Sequence, residues 1–298
     1  MQLFFKTLNN YWSNNLENHS LILKSKSKNL NARKIPKKSN RSLLYAALIF
    51  FGTMAYFWVE EKKLGNLFGD KCAVTNTNWQ KFSDTQPENF EVHGIDVSHY
   101  SCNINWEAVK NMNDNNSKVD FVFMRATRGA KAKDEKFDDF WYKARQYGLR
   151  RGAYHFFNFT DSPELQARFY LQSVIMFPDD LPPVLDIEDD KETPKELLTP
   201  DYVLKHIIVW LRIVERTTRK IPIIYCNQAY YSKYIRGRFP KNPIWIASYA
   251  LQPPQLGDKD WQFWQYSNAG RCAGISEKID LNVFKGTKND FEKFVSTK

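Results

Sequence analysis

The sequence predicts an α/β fold: an irregular (β/α) TIM-like barrel preceded by a single N-terminal transmembrane helix. Three observations carry this. From residue 91 onward, eight short apolar runs alternate with helical periods, the pattern of parallel βαβ units. They fit within about 200 residues, the lower size limit for such a barrel. Ahead of them, an uncharged apolar run of 17 residues follows a strongly basic tail.

The tail spans residues 1–41 and is rich in Asn, Lys and Ser, a composition that predicts disorder. Of the chain's formal charge of +10, it holds most: nine basic residues, from Lys6 to Arg41, against Glu17 alone. Only two net positive charges remain for everything after it. A nucleic-acid footprint belongs on a folded domain, so no nucleic-acid partner is expected.

Residues 42–59 form the predicted anchor, with Leu43 to Val59 free of charge. Tyr45, Tyr56 and Trp58 lie near its ends, where amphipathic rings favour the headgroup layer. Lys37, Lys38 and Arg41 precede it, whereas Glu60, Glu61, Lys62 and Lys63 cancel after it. The positive-inside rule then puts the N-terminus in the cytoplasm. A cleaved signal peptide would have a short basic start and a small-residue cleavage site, and neither is present. The expected location is the cell inner membrane, single-pass, with the remainder periplasmic or extracellular. Residues 60–90 are polar and read as a linker, leaving 91–298 as the barrel domain.

The strand candidates are Val92–Ser98, Phe121–Thr127, Gly152–Phe157, Pro183–Glu188, Ile221–Cys226, Ile244–Ser248, Phe263–Tyr266 and Ile279–Leu281. Between them Phe137, Phe140, Trp141, Ala144 and Tyr147 fall at helical spacing. Thr199-Pro200 starts another helix, with Thr as N-cap and Pro at the first helical position. Val203, Ile207, Trp210, Leu211 and Val214 line one face of it. Connections after residue 243 are too short for full helices, so the barrel should lose helices near its end.

Barrel chemistry gathers at the C-terminal ends of strands. Those ends carry Asp96, Arg125, Tyr154, Asp186, Glu188, Tyr249, Gln265 and Asp280. Any one of the four carboxylates is ordinary as a solvated loop residue. Four at one mouth are costly unless they are solvated, paired with cations or used, and as a set the functional reading is the better one. Asp186 and Glu188 stand two apart on one apolar strand, so both leave it on the same face. Glycoside hydrolysis requires such a pair: an acid for the leaving oxygen, and a carboxylate for the cationic sugar carbon. Close carboxylates also oppose simultaneous ionisation, which keeps one protonated.

Seven separated stretches then occur in a recognisable order: Gly94-Ile-Asp-Val-Ser98, Phe121-Val-Phe-Met-Arg-Ala-Thr127, Gly152-Ala-Tyr-His-Phe-Phe157, Pro183-Val-Leu-Asp-Ile-Glu188, Trp245-Ile-Ala-Ser-Tyr249, Trp264-Gln-Tyr266 and Ile279-Asp-Leu-Asn282. Together they resemble glycoside hydrolase family 25, the Chalaropsis-type lysozymes, and look most like members from Bacteroidetes-like bacteria. The resemblance covers roughly residues 90–286. It implies a flattened β/α barrel and β-1,4-N-acetylmuramidase activity on peptidoglycan glycan strands. It implies Glu188 as general acid/base, Asp186 as partner carboxylate, and Asp96 and Asp280 as the further catalytic acids. Tyr154, Tyr249, Gln265, Trp245, Trp264 and Arg125 are the implied substrate-binding set, although Trp245 and Trp264 equally suit a buried core. Asp186 could attack the sugar carbon or orient the substrate's acetamido group, and both routes stay open. Two positions depart from the family pattern: Ser101-Cys102 replaces a usual Gln, and Arg128 replaces a usual Glu. Arg128 could pair with a carboxylate or with the anionic peptide stem.

No cofactor or metal is expected, since zinc-type CxxC or HExxH spacings are absent. His155 follows Tyr154 and should face away from the mouth as a core histidine. His93 and His99 receive no role. Cys102 after the first strand and Cys272 before the last would be neighbours in a closed barrel, which suggests a disulfide against the alternative of two free thiols. The competing functions are a catalytically silent, membrane-anchored glycan-binding module and a hydrolase of a related acetamido-sugar polymer. Oligomeric state is not legible.

Overall fold

The computed structural model describes Phe82 and residues 86–296, apart from 116 and 191. The tail, the apolar run 43–59 and most of the linker lie outside the described residues. Among the described residues no helix is long and apolar enough to cross a membrane.

Nine strands form one sheet: β1 (His93–Val97), β2 (Val119–Arg128), β3 (Ala132–Lys133), β4 (Arg150–Phe156), β5 (Val184–Asp186), β6 (Ile223–Asn227), β7 (Ile244–Ala247), β8 (Phe263–Gly270) and β9 (Ile279–Phe284). Their order is β1-β9-β8-β7-β6-β5-β4-β2-β3, and β1 also pairs with β2, so eight strands close into a barrel. All eight expected strands are present. One expectation fails in direction: β9 runs antiparallel to both neighbours. The connection from β8 holds too few residues for a crossover helix, and a short link returns a strand antiparallel. The reversal brings the start of β9, rather than its end, to the mouth. The two-residue β3 was not expected. It pairs back on Thr127 and Arg128 as a hairpin extension of β2.

Helices α1 (Trp106–Asn111), α2 (Phe137–Gln146), α3 (Pro163–Ser173) and α4 (Pro200–Thr218) pack outside. On α4, Thr199 caps the Tyr202 N–H, and the buried residues are the expected Val203, Ile207, Trp210, Leu211 and Val214. On α2 the expected face is buried except for Tyr147, which falls just past the helix and is exposed. Between β7 and β8 there is no helix, in keeping with the short connections.

Strand alternation divides the core in two. The outer layer, under the helices, includes Ile95, Val122, Met124, Leu185, Ile187, Ile224 and Ile246. The inner layer includes Phe121, Phe123, Val184, Ile223, Tyr225, Trp245 and Phe263. Helix α5 (Lys288–Ser296), a further element that the sequence reading missed, places Phe291, Phe294 and Val295 against that inner layer. It plugs the bottom of the barrel. Bulk and absence of bulk alternate inside. A Cβ on Gly94 would meet the Phe121 ring at 2.3 Å, and one on Gly152 would meet Phe123 at 2.5 Å. The two glycines are therefore holes filled by neighbouring rings.

The expected Cys102–Cys272 disulfide is absent. Cys272 is a buried free thiol, as is Cys226. Cys102 is disulfide-bonded, and its partner lies outside the described residues.

Candidate active site

The mouth of the barrel is built from residues at one end of seven of its eight strands. Asp96 comes from β1, Arg125 from β2, Tyr154 from β4, Asp186 from the last position of β5, Tyr225 from β6, Gln265 from β8, and Asp280 and Asn282 from β9. Register brings them level: Asp96 faces Asp280 across β1 and β9, and Asp186 lies beside Tyr225. Glu188 lies two residues beyond Asp186, with outward-facing Ile187 between them. The four carboxylates expected at one mouth are thus brought together.

A network of neutral donors fixes Asp96. Its Oδ2 accepts from Gln265 Nε2 at 3.0 Å and Asn282 Nδ2 at 2.7 Å. Gln265 in turn accepts from the hydroxyls of Tyr225 and Tyr249, each at 2.9 Å. Trp245 Nε1 donates to Asn282 Oδ1 at 2.8 Å. The amide orientations are set by these neighbours, so Asp96 meets two N–H groups rather than two carbonyls. Asp280 faces Asp96 directly across the two strands.

Burial dominates the electrostatics. Desolvation raises Asp96, although the bonds from Asn282 and Gln265 oppose it. Asp280 is pushed up to about 9, first by burial and then by the charge of Asp96. Asp186, only 4% exposed, is raised well above the carboxylate range by burial and then by the charges of Glu188 and Asp96. Its buried Oδ1 has no hydrogen-bond partner. Glu188 is half-buried and raised by desolvation, then by Asp96 and Asp189, while Arg125 pulls it down. Four acids crowded in low dielectric cannot all ionise, so the site holds protons at neutral pH.

Arg125 does not project freely into the mouth. Its Nε bonds Asp134 Oδ2 at 3.1 Å, and its guanidinium lies against the His99 ring and 5.3 Å from the centre of the Tyr100 ring. It acts on Asp186 and Glu188 through its field. Tyr154 lines the inner wall, edge-on to Trp245 at 6.3 Å, and its hydroxyl is raised well above its usual value by burial and Asp96. Tyr249 is 55% exposed at the rim. The two tryptophans differ from a groove-lining role. Trp245 is buried inside the barrel, stacked on Phe123 at 4.3 Å. Trp264, 1% exposed, belongs to the outer layer and donates to Ser248 O at 2.7 Å. Tyr266, two residues on, shares this face and also packs in the outer layer.

The departures from the family pattern find partners. Arg128 pairs with Asp190 and Glu192, each at 3.1 Å, and touches none of the four acids. Ser101 is buried and accepts from the Ser98 N–H. His155 faces outward as expected. It bonds Thr127 and Gln166, stacks on Trp210 at 5.6 Å, and is lowered to about 4 by burial. Among the described residues no cluster suits a metal ion. Sequence reasoning missed Tyr225 and Asn282. Strand alternation from Ile223 and from Asp280 could have found both. It also missed Asp134, which holds Arg125 from a turn that carries no periodic signal.

Residues 95–275 match the model of the family described as glycosyl hydrolases family 25. The chain is similar to YegX of Escherichia coli O157:H7, 39% identical over 267 residues, covering 86% of this chain and 96% of that one. It is also similar to Lysozyme M1 of Streptomyces globisporus, 32% identical over 210 residues, covering 66% and 68%. Among solved structures, a family 25 glycosyl hydrolase from Bacillus anthracis superposes with a TM-score of 0.66 at 32% identity, covering 73% of this chain and 99% of that one. A bacterial lysozyme from Streptomyces coelicolor gives a TM-score of 0.64 at 29% identity, covering 72% and 99%.

Proposed function

Because the chain belongs to glycosyl hydrolases family 25 and is a glycoside hydrolase, we propose that it cleaves the β-1,4 bond between N-acetylmuramic acid and N-acetylglucosamine in peptidoglycan. The similar lysozymes support peptidoglycan as the polymer. The observation that carries the chemistry is the pairing of half-buried Glu188, its proton held by a raised pKa, with buried Asp186, one of whose oxygens has no partner. Glu188 gives its proton to the glycosidic oxygen as the bond breaks. Asp186, the more strongly raised of the two before substrate binds, is the partner carboxylate: the positive charge that develops on the sugar carbon favours its ionised form, and its proton leaves as that charge builds. Asp96, fixed by Gln265 and Asn282, keeps negative charge beside both and so holds the proton on Glu188. Tyr154 and Tyr249 offer ring faces and hydroxyls to the sugars.

Activity then falls on the alkaline side as Glu188 loses its proton, at a pH above the ordinary carboxylate range. Digestion of purified peptidoglycan beside chitin tests the substrate. New reducing ends on N-acetylmuramic acid, with chitin left intact, are expected. New reducing ends on N-acetylglucosamine, or cleavage of chitin alone, would contradict the reading.

The same proposal includes location: the run 43–59 anchors the chain in the inner membrane, N-terminus inside, with the barrel facing the cell wall. The basic tail before the run supports this orientation. The disulfide at Cys102 supports an oxidising compartment for the barrel.

A further inference from the structure

Tyr100 stands on the turn that leaves β1 at the mouth, four residues beyond Asp96, and its ring is 72% exposed. A single exposed ring is ordinarily without meaning. This one is held. The His99 ring packs on it at 4.0 Å between centres, and the Arg125 guanidinium lies 5.3 Å from its centre. Buried Asp134 fixes both supports. It accepts from the His99 backbone N–H at 3.0 Å and from Arg125 Nε at 3.1 Å, and lies 2.8 Å from the His99 ring. An aromatic face kept in place loses little freedom when a ligand lands on it.

A cavity of about 390 Å³ opens beside the ring, with Tyr100, Arg125, Arg128, Lys133 and Glu135 among its walls. That is the small end of the range for ligand sites, roughly 300–1,000 Å³. The hairpin made by β3 supplies its far side. Arg125 lines this cavity from β2, the strand that pairs with β1 and β4, which carry Asp96 and Tyr154 of the mouth.

The charges in the walls decide what fits. Arg125 is paired with Asp134, Arg128 with Asp190 and Glu192, and Lys133 with Asp138. The cavity therefore offers many hydrogen-bonding groups and no surplus of positive charge. An anionic peptide gains little there. A neutral polyhydroxylated ring with one apolar C–H face matches both the tyrosine and the polar walls.

We propose that Tyr100 and this cavity form a saccharide subsite away from the cleaved bond, taking one acetamido-sugar of the glycan strand with its C–H face on the Tyr100 ring. This rests on the muramidase reading for the identity of the strand.

Binding and turnover test it separately. The full chain carrying Glu188→Gln is titrated with peptide-free glycan strands and with N-acetylglucosamine oligomers of increasing length. Adding Tyr100→Ala should weaken binding of long ligands about tenfold, leave the shortest nearly unaffected, and be rescued by Tyr100→Trp. In the otherwise wild-type chain, Tyr100→Ala should raise KM with kcat unchanged. Affinity unchanged at every length would overturn the subsite. So would a loss seen only on strands that retain stem peptides, which would give the cavity to the peptide. If the wild type cleaves no strand while Tyr100 still governs affinity, the subsite stands and the muramidase reading falls. If it cleaves strands and Tyr100 is indifferent, the subsite alone falls.

Discussion

Asp96 and Asp280 face each other across β1 and β9, and two neighbouring buried carboxyl groups oppose simultaneous ionisation, which keeps a proton on one of them. Two amide N–H donors already stabilise charge on Asp96, so the proton resides on Asp280. A raised pKa means that the folded state binds this proton more tightly than the unfolded chain. The stabilisation is complete below the usual carboxylate pKa and drains away as pH rises toward about 9. Asp280→Asn, which keeps a donor but cannot titrate, should gain in Tm relative to wild type as pH rises across that window. It should also retain more activity than Asp280→Ala. A Tm difference that is flat with pH, or equal inactivity of both variants, would contradict a neutral Asp280. At this scale the sequence was informative wherever strand period two applied. Asp186 and Glu188 could be placed on one face because only Ile187 separates them. The hold of Asp134 on Arg125 was hidden, since it spans a hairpin whose second strand is two residues long.

The strands were legible because each is a short apolar run closed by a polar end. The direction of β9 was not, since an alternating strand reads the same either way along its axis. Helix α5 was missed because nine residues give too few turns for a period to stand out. The glycines of Gly94-Ile-Asp and Gly152-Ala-Tyr gain their meaning only at this level, where Phe121 and Phe123 occupy the space a Cβ would need. Gly152→Ala should therefore overpack the barrel interior and cost about 1–3 kcal/mol, read by thermal or denaturant unfolding. An unchanged midpoint would show that the Phe123 ring moves aside freely.

Charge separates the molecule into a basic tail and a nearly balanced remainder, and that division was available from sequence alone. The disulfide was not, because cysteine spacing says nothing about which loops meet in space. Membrane fractionation checks the proposed anchor. The full chain should sediment with membranes through high salt, and deletion of residues 43–59 should release it. Retention after the deletion, or release of the intact chain by salt, would contradict an anchor. The catalytic account turns on one residue of the whole barrel. The most direct measurement compares the full chain with its Glu188→Gln variant on purified peptidoglycan, with mass spectrometry identifying each new reducing end. The account predicts reducing-end N-acetylmuramic acid from the wild type and a loss of at least about 100-fold in the variant, the scale of removing a general acid. Wild-type rates from a variant that still binds the polymer would contradict it.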